Sequence, residues 1–148
     1  DLHEPYRRQR QMCIRDSEGV SLLLQAGVPA EKIVIGAAFY SRRWDGVKSC
    51  ENHGLHQEAE TNGDFGPRYT EIALIYEKSP RFVKYFDETA KAPFLFDGYS
   101  FISYDDPMSL TYKAQYVKEN KLGGMMYWEH TSDATGTLFD AIYNGLFL

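Results

Sequence analysis

"DDPMSLTYKAQYVKENKLGGMMYW", residues 105–128, reads as one helix running into one strand, and that reading decides the fold class. Asp106 offers an N-cap, Pro107 suits the first helical position, and Leu110, Ala114 and Val117 recur on one face. Lys118 lies in the last turn, and Gly123 reads as the C-terminal stop. "GGMMYW" then forms a short apolar run of the length and composition of a buried strand.

A second unit of the same kind lies upstream. Ser17 is a candidate N-cap, Val20, Leu23 and Leu24 make an apolar stripe, and Gly27 and Pro29 end it. "KIVIGAAFY", residues 32–40, is apolar and β-branched without alternation, which predicts a parallel strand covered on both faces. Helix, tight loop and buried strand make the αβ half of a βαβ unit, so the class is α/β with a parallel sheet.

Between the two strands the character changes. Residues 45–68 are polar and glycine-rich, and 69–78 carry helical spacing at Ile72, Ile75 and Tyr76. Aromatic strand candidates follow near 81–86, 93–96 and 99–104, so residues 45–104 are expected to form a small α+β insert. "GTLFDAIYNGL" adds a closing helix. At the other end, "YRRQRQMCIRDS", residues 6–17, carries four arginines and no period that could be buried. It resembles translated sequencing-adapter read-through, so residues 1–16 are set apart as uncertain, a candidate junction artefact, with no role for Cys13 or the arginines.

Composition narrows the function classes. At 148 residues the chain is shorter than the about 250 of a whole (β/α)8 barrel. Net charge is −5, with no basic patch beyond Arg7, Arg8 and Arg10, which argues against nucleic acid. No segment approaches the roughly 18 apolar residues of a membrane helix, and two cysteines without metal-ligand spacing imply no metal or cofactor. Eleven tyrosines offer flat apolar faces with polar tips, suited to a core or to ligands such as sugars.

Each strand ends in an aromatic and a charged residue, Tyr40 and Arg42 after the first, Trp128 and Glu129 after the second. Carboxyl ends of parallel strands are where α/β folds place their chemistry, although a core tryptophan and an ion-paired arginine would read the same way. Asp105 and Asp106 look like a carboxylate pair, but a capping role explains them better, and Asp133 likewise reads as a turn or cap acid. His53, His56 and His130 have no ligand spacing and read as exposed loop residues.

"AGVPAEKIVIGAAFYSRRW" (26–44), "FISYDDPMSLTYKAQYVKENKLGGMMYWEHTSD" (101–133) and the closing helix together resemble the C-terminal part of family 18 glycoside hydrolases, the bacterial-type chitinases. The resemblance covers about residues 17–148. It implies a (β/α)8 barrel in which 33–39 is strand seven and 124–128 strand eight. Barrel parts would then lie at 17–44 and 105–148, and a chitin-insertion domain at 45–104. The implied activity is retaining hydrolysis of β-1,4-N-acetylglucosamine links, assisted by the substrate's acetamido group.

Carried over residue by residue, the resemblance makes Trp128 the floor under the sugar and gives Met126 a place in the acetamido pocket. It makes Tyr40 and Arg42 the hydrogen-bonding pair after strand seven, Arg42 holding several donors in a planar fork. Glu71 is similar to an insertion-domain glutamate that reaches the substrate, and Asp1 to the strand-six aspartate that orients the acetamido group. The family's catalytic acid closes a DxxDxDxE motif on strand four, absent from these 148 residues, so no catalytic acid is expected here and the chain alone is expected to be inactive. Glu129 is left a supporting hydrogen bond or ion pair. Departures from the family pattern are Ser41, where Gly is usual, and Arg43, expected to face solvent.

The implied partners are chitin or N-acetylglucosamine oligosaccharides and the N-terminal barrel half that is missing here, with an extracellular parent and no nucleic acid or membrane. Alternatives are a lectin-like, non-catalytic chitin-binding member of the fold, a peptidoglycan or spore-cortex hydrolase, and a purely structural α/β module.

Overall fold

The computed structural model describes residues 12–148. Asp1, Arg7, Arg8 and Arg10 lie outside the described residues. Two sheets and three main helices carry the architecture. Helix α1 is Met12–Gln25. Strand β1, Val34–Ala38, pairs in parallel with the much later β7, Gly124–Trp128, and Gly36 faces Met126 while Ala38 faces Trp128. Between them lie β2 (Tyr40–Trp44), β3 (Asp64–Arg68), a short helix α2 (Tyr69–Glu71), β4 (Val83–Asp87), β5 (Ala92–Phe96) and β6 (Phe101–Ser103). These five strands make one antiparallel sheet in the order β3-β2-β6-β5-β4. Helix α3, Pro107–Glu119, precedes β7, and α4, Thr137–Phe147, follows it.

Helix α3 starts as its sequence dictates. The Asp106 carboxylate accepts from the Ser109 amide at 2.9 Å, and Pro107 spends no amide in the first turn. Leu110, Ala114 and Val117 are buried as the spacing requires. Its end differs from the expectation. Lys121, not Gly123, takes the left-handed conformation. Gly123 is small for another reason: its amide donates to the Ile33 carbonyl at 2.8 Å, and a Cβ there would run into the Glu31 carbonyl oxygen.

Two further expectations are corrected. Helix α1 begins at Met12, so Ser17 sits within it rather than capping it, and of its apolar stripe only Val20 is buried, against Ile33, Ile35 and Val117. Strand β1 is covered on one face, by Ile35 and Ala37, whereas Val34 on the other face is exposed. The described residues supply helices to one side of the β1–β7 pair only.

The insert also gains structure. Strands β4, β5 and β6 fall where the aromatic runs predict, but the antiparallel sheet begins at Tyr40, which puts Tyr40 and Arg42 on a strand. After α2 the chain takes a π turn over Ile72–Tyr76, closed by the Glu77 amide on the Ile72 carbonyl at 2.9 Å. The wider turn buries Ile72 and leaves Ile75 exposed.

One core joins both sheets: Ala37 and Phe39 from the β1 end, Leu95 and Ile102 from the antiparallel sheet, Leu110 from α3 and Leu138 from α4. A second cluster of Trp44, Phe94, Phe96 and Phe101 fills the other face of the antiparallel sheet. No described helix is long and apolar enough to cross a membrane.

Candidate functional site

Alternation along β7 settles which side chains meet solvent. Tyr127 points to the helices and stacks on Phe39 with ring centroids 4.7 Å apart. Met126 and Trp128 point the other way and are 51% and 63% exposed. Trp44, by contrast, is buried. Trp128 therefore presents its indole at the carboxyl end of a parallel strand pair, fixed through its carbonyl, which accepts from the Phe39 amide at 2.9 Å. The peptide bond from Trp128 to Glu129 is cis. The Glu129 carboxylate is half-buried and accepts from the Thr131 hydroxyl at 2.7 Å.

The chain leaves β1 through Phe39 and enters β2, where Tyr40 is half-buried and Arg42 exposed. The Arg42 guanidinium carbon lies 4.1 Å from the ring centroid of Phe65 and 5.7 Å from that of Tyr40. The two rings are tilted at 60° with centroids 5.5 Å apart. Arg42 Nη1 donates to the Gly63 carbonyl at 3.4 Å, and among the described residues Arg42 has no carboxylate partner. Phe65 is a member that sequence reasoning missed. It sits in "NGDFGPR", a glycine- and proline-rich stretch that reads as loop, and only its being a lone aromatic among polar residues could have singled it out.

Arg43 does not face open solvent as expected. Its Nε donates to Asp45 at 2.9 Å and its Nη2 to the Ser100 hydroxyl at 3.2 Å, so it ties β2 to the turn before β6. Burial works against its charge, but the Asp45 carboxylate outweighs this and raises its pKa. Ser41 is buried and donates to the Pro67 carbonyl at 2.7 Å.

Glu71 closes the start of α2, its carboxylate accepting from the Arg68 amide at 2.8 Å. With Arg68, Thr70, Thr131 and Ala134 it lines an open groove of about 320 Å³. Thr70 ties this lining together. Its hydroxyl donates to the Ser132 carbonyl at 2.9 Å and accepts from the Ala134 amide at 2.8 Å, which binds the insert helix to the turn after Trp128.

The aspartates are structural. Asp106 caps α3, while Asp105 is buried and accepts from Lys113 Nζ at 2.8 Å, the Ser109 hydroxyl at 2.9 Å and the Ala38 amide at 3.1 Å. Asp133 accepts from the Thr135 and Leu138 amides at 3.0 and 2.8 Å, at the start of α4. His53 is exposed but its ring stacks on Tyr85 at 3.9 Å. Among the described residues no group of three or more His, Cys, Asp or Glu side chains could hold a metal ion.

The surface thus offers broad apolar faces at Trp128 and Phe65 and a many-donor rim at Arg42. That chemistry suits a ring with an apolar C–H face and a polar edge.

The sequence profile of Glycosyl hydrolases family 18 matches residues 6–133. The chain is 37% identical over 123 residues to Chitinase A1 of Niallia circulans, which covers 78% of this chain and 18% of that relative. Among solved structures it is similar to a glycoside hydrolase family 18 N-acetylglucosaminidase from Paenibacillus barengoltzii, with 53% identity and a TM-score of 0.85 over 88% of this chain and 38% of that one. A chitinase-like agglutinin from Robinia pseudoacacia is also similar, with 28% identity and a TM-score of 0.73 over 88% of this chain and 37% of that one. The chain therefore spans well under half the length of these relatives. With a profile match over most of its length, the chain belongs to Glycosyl hydrolases family 18.

Proposed function

We propose that the chain supplies part of the sugar-binding cleft of a chitinase-like hydrolase. In this reading β1 and β7 are strands seven and eight of a (β/α)8 barrel, set in barrel parts at 17–44 and 105–148. Strands β3 to β6 are then the core of an insertion wall over about 45–104, and residues 1–16 are assigned to neither part. The substrate is chitin or an N-acetylglucosamine oligosaccharide, and the parent protein works outside the cell.

The observation that carries the reading is the exposed Trp128 at the carboxyl end of the parallel pair, with Tyr40 and Arg42 following directly from its neighbour strand. Trp128 is the platform under the sugar at the cleavage point, Met126 lines the acetamido pocket, and Tyr40 and Arg42 bind hydroxyl and carbonyl oxygens. Glu71 borders the cleft from the insert helix, and Asp1 orients the acetamido group. Hydrolysis proceeds with the acetamido oxygen attacking the anomeric carbon while a glutamic acid protonates the leaving oxygen. The motif that carries this acid is absent from the sequence, so the chain binds without cleaving.

A second reading, a lectin-like protein in which the acid is replaced, is favoured by the likeness to the agglutinin. The residue at the last position of the strand-four motif in the parent separates the two. On chitin beads the chain is expected to be retained, to be displaced by N-acetylglucosamine oligosaccharides, and to release no soluble sugar. Failure of retention overturns the cleft assignment, and release of sugar overturns the assignment of the acid to another segment.

A further inference from the structure

Phe65 stands out on the antiparallel sheet. It is 71% exposed on β3, an edge strand that is otherwise protected in the usual way, by Asp64, Pro67 and Arg68.

Its position is fixed from both sides. Across the ladder it is paired with Arg42, whose guanidinium lies 4.1 Å over its ring. Next to it, Gly66 leaves room for the Ser41 hydroxyl, which occupies the place a Cβ would take and donates to the Pro67 carbonyl at 2.7 Å. The serine that departs from the family's usual glycine is therefore the lock that holds β3 against β2 beside Phe65. Tyr40 lies two residues beyond Ala38, the ladder neighbour of Trp128, and its ring is 5.5 Å from that of Phe65.

We propose that Phe65 is a second stacking platform, taking a further pyranose ring of the same oligosaccharide that rests on Trp128, with Ser41 as its positioning residue. The inference rests on the reading of Trp128 as a sugar platform. A pyranose offers Phe65 its C–H face, and the Arg42 N–H groups meet the hydroxyl and acetamido oxygens at its rim. One aromatic contact of this kind changes affinity by up to about tenfold.

The test titrates the full chain with N-acetylglucosamine oligomers from di- to hexasaccharide, far-UV circular dichroism confirming that each variant folds. The wild type gains affinity with length. Phe65→Ala binds the disaccharide as the wild type does but gains little from added units, ending about tenfold weaker for the hexasaccharide. Phe65→Trp restores the gain, and Ser41→Gly loses part of it. Wild-type length dependence in Phe65→Ala, or an equal loss at every length, overturns the proposal. The parent reading fails separately: if Trp128→Ala binds every oligomer as the wild type does, Trp128 is no platform and the inference falls with it.

Discussion

Asp105 shows how one buried charge places a binding residue it never touches. Its carboxylate and the Lys113 ammonium are both buried and 2.8 Å apart, and Lys113 also donates to the Gly36 carbonyl at 3.3 Å. The pair thus grips β1 at Gly36 and Ala38, the two residues opposite Met126 and Trp128 in the ladder. A buried pair is weak evidence of net stabilisation, but removing Asp105 takes from the buried Lys113 its 2.8 Å partner and leaves the Asp16 carboxylate at 3.6 Å, while the Ala38 amide loses its acceptor. Asp105→Ala is expected to cost about 3–5 kcal/mol, read as a lowered urea midpoint with unchanged slope. A loss below about 1 kcal/mol, the scale of a surface ion pair, would contradict this account of the pair. The sequence exposed Asp106 as a cap through its Pro107 and helix pattern, but it could not reveal that Asp105 grips a strand 67 residues away. Tertiary pairing of that kind leaves no local period.

At the scale of elements, the turn between β5 and β6 depends on Asp97. Its carboxylate accepts from the Ser100 amide at 2.6 Å, the Tyr99 amide at 2.9 Å and Arg81 Nε at 2.5 Å, so it ties the entry to β4 into the β5–β6 hairpin. Burial opposes its ionisation, but the two amides and the Arg81 guanidinium outweigh that, and its pKa is lowered. A depressed carboxylate stabilises the fold above its unfolded pKa of about 4, and that contribution is lost as pH falls through the lower folded value. Chemical denaturation at pH 6 and pH 3 should therefore show a smaller pH-dependent loss in Asp97→Asn than in the wild type, and equal losses would refute the role. Strands β4, β5 and β6 were legible because aromatic runs and turn residues bound them. Strands β2 and β3 were not, since Arg42 and Arg43 interrupt one pattern and Gly66 and Pro67 read as breakers in the other. The π turn hid from the 3.6-residue period because its wider register turns Ile75 out of the core.

Over the whole molecule, the apolar surface is divided unevenly. One core binds the parallel pair to the antiparallel sheet, while Val34, Met126 and Trp128 on the far face of the pair stay open among the described residues. A continuous apolar run in "KIVIGAAFY" suggests burial on both sides, and the exposed face is what a piece of a larger barrel would leave bare. The candidate site was legible to the same extent. Tyr40, Arg42 and Trp128 stood at strand ends in a recognisable pattern, whereas Phe65 joins them only through cross-strand register. The central claim is that Trp128 is a sugar platform and not a packing residue, and calorimetric titration of Trp128→Ala with the N-acetylglucosamine tetrasaccharide tests it most directly. The account predicts affinity about tenfold weaker than wild type, with stability changed by no more than about 0.5 kcal/mol because the indole is exposed. Unchanged affinity, or a loss of affinity that merely follows a loss of folding, would contradict it.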